Sequence, residues 1–326
     1  MVSRFISLTT FAAILATVVF VPAFHLEYSS GSVDISLVAK CYQLILDLIP
    51  GNILVPFSET NILQVVLIAA IFGVILITLG ESGKTVRKFF DELDRIVIRA
   101  TGFLDKSIPV FVFVVVINLL WSGSLEQILS AIKPIVLFIR FSLAFLVMTL
   151  LYTSVRAKVR PDILIKKMFP VLLIGMSTAS SSAIHGENVS TCNKKYGINN
   201  KIVDFAIPMG MVTCMPATAV NFLVLALFFA EQTNVKVSVI WIINCILLCV
   251  ITSVATPPVA GGAIACYSIL FNHLGIPASA LALAVTIDVF FDFIATTVDN
   301  ALIQTQLILQ TNNTDMLDRK VLLKPE

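Results

Sequence analysis

Asp288, Asp292, Thr296 and Asp299 stand four, four and three residues apart inside an apolar run over 278–310. On an α-helix that spacing places all four on one face. A carboxylate at membrane depth is costly unless it is paired or hydrated, so acids in such segments mark functional sites by default. The structural alternative is pairing with Lys133 or Arg140, two cations that also lie in an apolar stretch.

Three further clusters interrupt the apolar sequence. Ser177, Thr178, Ser180, Ser181 and Ser182 are followed by His185, Gly186, Glu187 and Asn188. Hydroxyls in lipid-facing helices bond back to their own backbone one at a time. Five in six residues instead suggest a surface that replaces a solute's hydration, with a Ser-rich cytoplasmic loop as the plain alternative. The second cluster is Val212-Thr213-Cys214-Met215-Pro216-Ala217-Thr218. Pro216 removes a backbone donor and clashes with the preceding turn, which leaves either a simple kink or a broken helix whose freed carbonyls face a cation or solute. The third is Ser253-Val254-Ala255-Thr256-Pro257-Pro258-Val259-Ala260-Gly261-Gly262. Two prolines and then two glycines cannot continue a helix; this tip suits an extracellular gate and is unusually small and apolar for a plain loop.

Other chemistries find no support. His25, His185 and His273 lie far apart and make no metal motif. No GxxxxGK[ST] phosphate loop is present. His185 and Glu187 could exchange a proton, but no enzyme pattern surrounds them, and no nucleophile–base pair can be argued. The chain is therefore not read as an enzyme. Cys41, Cys192, Cys214, Cys245, Cys249 and Cys266 form no CxxC pair and read as small buried hydrophobes. Net charge is +2 and no basic stripe interleaves with aromatics, which argues against a nucleic-acid partner.

The elements that must hold these groups are membrane helices. Of 326 residues, 58% are hydrophobic and 13% charged, and the mean hydropathy is +0.97. A soluble fold of this size could not hide so much apolar surface, whereas lipid can solvate it. Apolar runs near 5–24, 62–80, 108–121, 127–153, 203–230, 236–256 and 278–310 approach the ~20 residues a spanning helix needs. The first is longer than a signal-peptide core, so it reads as a span. Stretches 168–192 and 256–275 are shorter and richer in Ser, Gly and Pro, and suit re-entrant hairpins. Residues 81–106 are amphipathic, with Phe89, Phe90, Leu93, Ile96 and Val97 at helical spacing, and read as a helix on the inner surface. Basic residues cluster in alternate connections: Lys84 to Lys106, Arg156 to Lys167, Lys194 to Lys201, and the tail. With Arg4 these hold 18 of the 22 Lys and Arg. The opposite connections carry His25, Glu27, Asp34, Glu126 and Glu231. Positive charge inside places both termini in the cytoplasm. The first hairpin then opens inward and the second outward, an inverted pair around a midplane site.

In this order the clusters resemble the dicarboxylate/amino acid:cation symporter family, the glutamate-transporter homologues. The resemblance rests on the Ser-rich tip, the broken helix, the Gly/Pro-rich second tip and the Asp-x-x-x-Asp-x-x-x-Thr helix. Pro50-Gly51-Asn52, Asn61-Ile62-Leu63-Gln64-Val65-Val66, Phe72-Gly73, Lys106-Ser107-Ile108-Pro109-Val110-Phe111, Tyr196-Gly197-Ile198 and Ala206-Ile207-Pro208-Met209-Gly210 extend it over nearly all of 1–310. It implies an all-α multi-pass fold with two re-entrant helical hairpins, near 168–192 and 236–275. Residues 1–125 would be part of a scaffold, equivalent to the family's third to fifth spans, and the family's first two spans have no counterpart. Residues 126–310 would form the transport domain and 311–326 a cytoplasmic tail.

The resemblance also assigns candidate roles. Ser181 matches a serine that touches the substrate carboxylate, with Ser182 beside it; Thr218 matches the broken-helix threonine. Pro258 and Gly262 match positions that close over the substrate. Asp292 matches the acid that holds its ammonium group and Thr296 the next contact. Asp299 replaces an asparagine touching substrate and cation. Two sodium-ligand aspartates are replaced by Pro216 and Ile303, so sodium coupling is expected to be weak or altered. Carbonyls near Met215 with Ser253, Thr256 and Asp299 could form one sodium site, or Asp299 could carry a proton. No other cofactor is expected. The arginine that selects acidic side chains falls on Ala295, and its alternative position on Ala179. The implied protein is a symporter of a small, neutral amino acid in the plasma or inner membrane, homotrimeric, working by alternating access. A dicarboxylate or acidic amino acid symporter is the alternative, and a non-transporting remnant or solute sensor stands as a different class.

Overall fold

Backbone amides that cross hydrocarbon must be satisfied within the chain, and helices do this residue by residue. The computed structural model describes residues 1–28, 50–58, 62–105, 110, 113–114, 117, 125–258 and 261–325. Among these the fold is all-α, with two isolated bridges, Tyr28 to Val237 and Ile198 to Leu317, and no strand. Asp34, Cys41, Asn61, residues 106–109, Phe111, most of the expected span 108–121, Val259 and Ala260 lie outside the described residues. In chain order the helices are α1 (Val2–Phe20), α2 (Ile62–Thr78), α3 (Lys84–Asp105), α4 (Leu125–Ala157), α5 (Pro161–Thr178), α6 (Ser181–Ser190), α7 (Asn200–Thr213), α8 (Pro216–Gln232), α9 (Val239–Ala255), α10 (Ile264–Leu274), α11 (Ala280–Thr311) and α12 (Arg319–Leu323).

Two compact units divide the chain: Ser30–Ser107, and Met1–Ser29 with Ile108–Glu326. In the smaller, a turn at Gly80–Gly83 joins α2 to α3, and Arg87 Nη2 donates to the Leu76 carbonyl at 3.0 Å. The amphipathic stretch expected over 81–106 is the helix α3, and its apolar positions Phe89, Ile96 and Val97 are exposed.

Among the described residues of the larger unit, four helical stretches are long and apolar enough to cross a membrane: Val2–Ala23, Ser130–Ala157, Asn200–Gln232 and Ala280–Thr311. The run expected to span at 236–256 is the 17-residue α9. At about 1.5 Å per residue it falls short of a ~30 Å hydrocarbon core. At the centre lies α8, whose residues from Ala219 to Ala230 are all buried. A helix that is apolar all round belongs in such a position, and α1, α4, α9, α10 and α11 surround it. Helix starts follow local capping chemistry: Ser180 accepts from the Ala183 amide, Asn199 from Lys201 and Ser238 from Trp241. Between α5 and α6, Ala179 turns the chain in a left-handed conformation, φ 49°.

Two close approaches hold α5 and the tail. Gly175 of α5 meets α11 so closely that a Cβ there would stand 2.7 Å from Thr297 Oγ1. The segment after α11 packs back on the connection between α6 and α7: the Asn199 amide donates to the Met316 carbonyl at 2.9 Å and the Asp318 amide to the Gly197 carbonyl at 2.9 Å. Lys167, 2% exposed, donates from Nζ to the carbonyls of Lys195, Val321 and Leu322 at 2.8–2.9 Å. A charged donor with three carbonyl partners is worth several neutral hydrogen bonds. Lys167→Met is expected to lower stability by about 2–3 kcal/mol and to expose residues 312–325 to limited proteolysis in detergent. Lys166→Met, on the exposed side of the same helix, is expected to do neither.

Candidate functional site

The helix pair α7–α8 is severed rather than kinked. Cys214 and Met215 leave helical geometry (φ −107°, ψ 77° and φ −123°, ψ 56°), and Pro216 starts α8 at its first position. Pro216 needs no amide partner there. The next two amides do, and Asp299 of α11 supplies it. Its Oδ1 accepts from the Ala217 amide at 2.6 Å; its Oδ2 accepts from the Thr218 amide at 3.1 Å and from Thr218 Oγ1 at 2.7 Å. On the other side of the break, the Met215 amide donates to Thr9 Oγ1 of α1 at 3.2 Å.

The other acids of α11 are also spoken for. Asp288, 2% exposed, accepts from Asn221 Nδ2 at 2.9 Å and from the Tyr267 hydroxyl. Asp292 accepts from the Gly261 amide at 3.0 Å and from Thr296 Oγ1 at 3.3 Å. Pairing with Lys133 or Arg140 does not occur. Lys133 bonds Glu231 at 3.1 Å, next to His25. Arg140 is exposed and lines a separate groove with Leu15, Phe20, Leu137, Phe141 and Phe145. Glu187 meets Thr191 and Lys195 rather than His185.

The tips of the two helix–turn–helix segments touch. Both the amide and Oγ of Ser182 donate to the Pro258 carbonyl at 3.0 Å. Beneath this contact is a cavity of about 20 Å³, lined by Ser181, Met215, Thr218, Asn221, Thr256, Pro257, Pro258, Ala263, Asp292, Ala295, Thr296 and Asp299. This volume holds one or two waters and is far below the ~300 Å³ of an open ligand pocket, as in a site whose walls have closed together. Of the eleven candidate positions, Ser181, Met215, Thr218, Thr256, Pro258, Asp292, Thr296 and Asp299 line it. Ser182 is committed to Pro258, Ser253 donates to the Val250 carbonyl at 2.8 Å, and Gly262 lies one residue beyond the amide that reaches Asp292.

A cation would find few ligands. Among the described residues no group of three or more His, Cys, Asp or Glu could hold a metal ion. Ile303, 1% exposed, packs on Gly210, and both Asp299 oxygens already accept hydrogen bonds.

Residues whose importance sequence spacing did not single out are Asn221, Tyr267, Gln304 and the Gly261 amide. Asn188 Nδ2 donates to Asn300 Oδ1 at 2.8 Å, Gln304 Nε2 to Asn188 Oδ1 at 2.6 Å, and the Tyr196 hydroxyl to Gln304 Oε1 at 2.9 Å. All four are 0% exposed. A polar side chain amid an apolar span, as at Asn221 and Gln304, was the available signal.

A family model described as the sodium:dicarboxylate symporter family matches residues 1–302. The "Proton/glutamate-aspartate symporter" of Bacillus subtilis (strain 168) is 25% identical over 266 residues, 79% of this chain and 62% of that protein. The "C4-dicarboxylate transport protein" of the same organism is 26% identical over 251 residues, 76% and 59% of the two chains. The protein of the same description from Burkholderia ambifaria (strain MC40-6) is 28% identical over 255 residues, 76% and 58%. The chain spans about half to three fifths of the length of the curated relatives it matches.

Asp299→Asn would replace one acceptor oxygen at the α8 terminus with a donor facing a donor. The expected cost is about 1–3 kcal/mol of stability, measured by thermal unfolding in detergent. Thr218→Val, which removes only the hydroxyl, is expected to cost less.

Proposed function

The chain belongs to the sodium:dicarboxylate symporter family, and from that membership we propose that it is a secondary transporter of a small carboxylate-bearing solute. The proposed substrate is a neutral amino acid. One observation carries this choice: among the described residues the cavity is lined by Asp292 and Asp299 and by no Lys or Arg, with Ala295 on its wall. A solute ammonium would be matched by Asp292, and an α-carboxylate by hydroxyls and hairpin amides. A second carboxylate would be buried without a cation, which is strongly unfavourable. A second reading, an acidic amino acid or C4-dicarboxylate, is favoured by the relatives' descriptions.

In this proposal the α5–α6 and α9–α10 segments are re-entrant gates opening to the cytoplasm and the outside respectively, and alternating access moves residues 126–310. The helix α1, packed on α8 and α9, moves with them. Both termini are assigned to the cytoplasm, the location to the plasma or inner membrane, and the assembly to a homotrimer; the basic-loop asymmetry and the family resemblance support these assignments.

Competition against labelled L-serine in liposomes tests the substrate. Alanine and serine are expected to inhibit and aspartate and succinate to be weak. Asp292→Asn should abolish uptake, and Ala295→Arg should improve acidic substrates by about tenfold or more, the gain of one buried ion pair. Strong inhibition by aspartate or succinate with serine, alanine and cystine inert would sink the neutral-substrate reading. Absence of uptake of both labelled L-serine and labelled L-aspartate would favour the non-transporting alternative.

The coupling ion is proposed to be a proton or at most one sodium, because Pro216 and Ile303 offer no ligand where the family resemblance expects carboxylates. Uptake in sodium and in choline, with and without a pH gradient, is expected to show a shallow sodium dependence. A slope near three in sodium would overturn it.

A further inference from the structure

Two buried asparagines have amide orientations that their neighbours dictate. Asn300 Nδ2 lies 2.8 Å from the Thr296 carbonyl and 2.8 Å from Ser181 Oγ. A carbonyl can only accept, so the atom facing it is the nitrogen. Ser181 Oγ therefore receives an N–H. Its own proton has to point elsewhere, and no acceptor takes it among the described residues. Ser181 lines the cavity. The Tyr196–Gln304–Asn188 chain reinforces the same direction, since each member donates toward Asn300 Oδ1.

Asn221 works in the opposite sense. Its Nδ2 donates to Asp288 Oδ1 at 2.9 Å and to the Tyr267 hydroxyl at 3.0 Å. A carboxylate that also receives the Tyr267 proton fixes nitrogen on that side. The remaining atom, Asn221 Oδ1, is buried with no hydrogen-bond partner among the described residues, while Asn221 lines the cavity and is 1% exposed. A buried acceptor without a donor is unfavourable and is expected to find one from a ligand or a water.

We infer that Asn300 and Asn221 are specificity-determining residues that polarise the cavity: Asn300 turns the Ser181 hydroxyl into a donor for a solute carboxylate, and Asn221 Oδ1 accepts from a solute ammonium. Asn300 acts through Ser181 and is a positioning residue, with Asn188, Gln304 and Tyr196 behind it. Asn221 contacts the solute itself. The inference rests on the proposed transport site but not on the solute's side chain, because every α-amino acid carries both groups.

Binding to the purified full chain tests it, with L-serine and L-aspartate as probes and glycerate as the analogue lacking the ammonium. Ser181→Ala is expected to weaken amino acid binding about tenfold. In Asn300→Asp the new carboxylate takes the Ser181 proton, so binding falls about tenfold and adding Ser181→Ala changes nothing further. Asn300→Ala, which keeps the site neutral, serves as the second background and is expected to show the same non-additivity. Asn221→Leu is expected to weaken amino acids about tenfold and glycerate not at all. Additive effects of Ser181→Ala and both Asn300 variants overturn the inference and leave the transport proposal standing, as does equal weakening of glycerate and serine by Asn221→Leu. Tight aspartate with no serine binding removes the neutral-substrate reading alone, since the cycle can be run on aspartate. Failure of the wild-type chain to bind either amino acid overturns both.

Discussion

A helix interrupted inside a membrane leaves backbone amides that neither water nor its own turns can satisfy. Here the interruption falls at Cys214 and Met215, and the carboxylate of Asp299 on α11 answers the first amides of α8. This contact is charge-assisted and lies at the positive end of the α8 dipole, so it gains on both counts. It also fixes the register between α8 and α11, which carry Thr218, Asn221, Asp292, Ala295, Thr296 and Asp299 of the cavity wall. Asp suits the position better than Asn would, because three donors converge on it and an amide has only one acceptor atom to offer them.

The other acids on α11 extend the same logic to the remaining elements. Asp288 ties α8 and α10 through Asn221 and Tyr267, and Asp292 reaches the second tip through the Gly261 amide. Each carboxylate that would be intolerable alone becomes the point where another element is held. The acids are therefore structural, and this does not exclude the functional reading of their spacing proposed above. Small residues complete the fit: Gly175 lets α5 lie against Thr297, and Gly210 makes room for Ile303.

The site's closure follows from the tips rather than from the helices. Ser182 of the first tip binds the Pro258 carbonyl of the second with two hydrogen bonds, leaving only about 20 Å³ between them. Nothing larger than one or two waters fits there unless that contact opens. At the opposite end, Lys167 and the segment after α11 brace the chain between α6 and α7 at Lys195, Gly197 and Asn199.

Composition and periodicity alone determined that this is an all-α membrane protein, where the four long apolar stretches among the described residues run, and that Asp288, Asp292, Thr296 and Asp299 share a face, because hydropathy and the 3.6-residue period are local properties. The stop at Pro216 was legible too, but a sequence does not say whether a proline kinks a helix or ends it; that depended on Asp299, 83 residues away in the chain, being in place to cap the second half. The tertiary structure alone decided which polar side chains meet. Asn221, Asn188 and Gln304 show in the sequence only as polar residues, and their partners on other helices are set by packing. It also decided that Ser182 and Ser253 turn to backbone carbonyls while Ser181 faces the cavity. A hydroxyl's direction is set by its nearest acceptor, and which acceptor is nearest is a property of packing rather than of residue type.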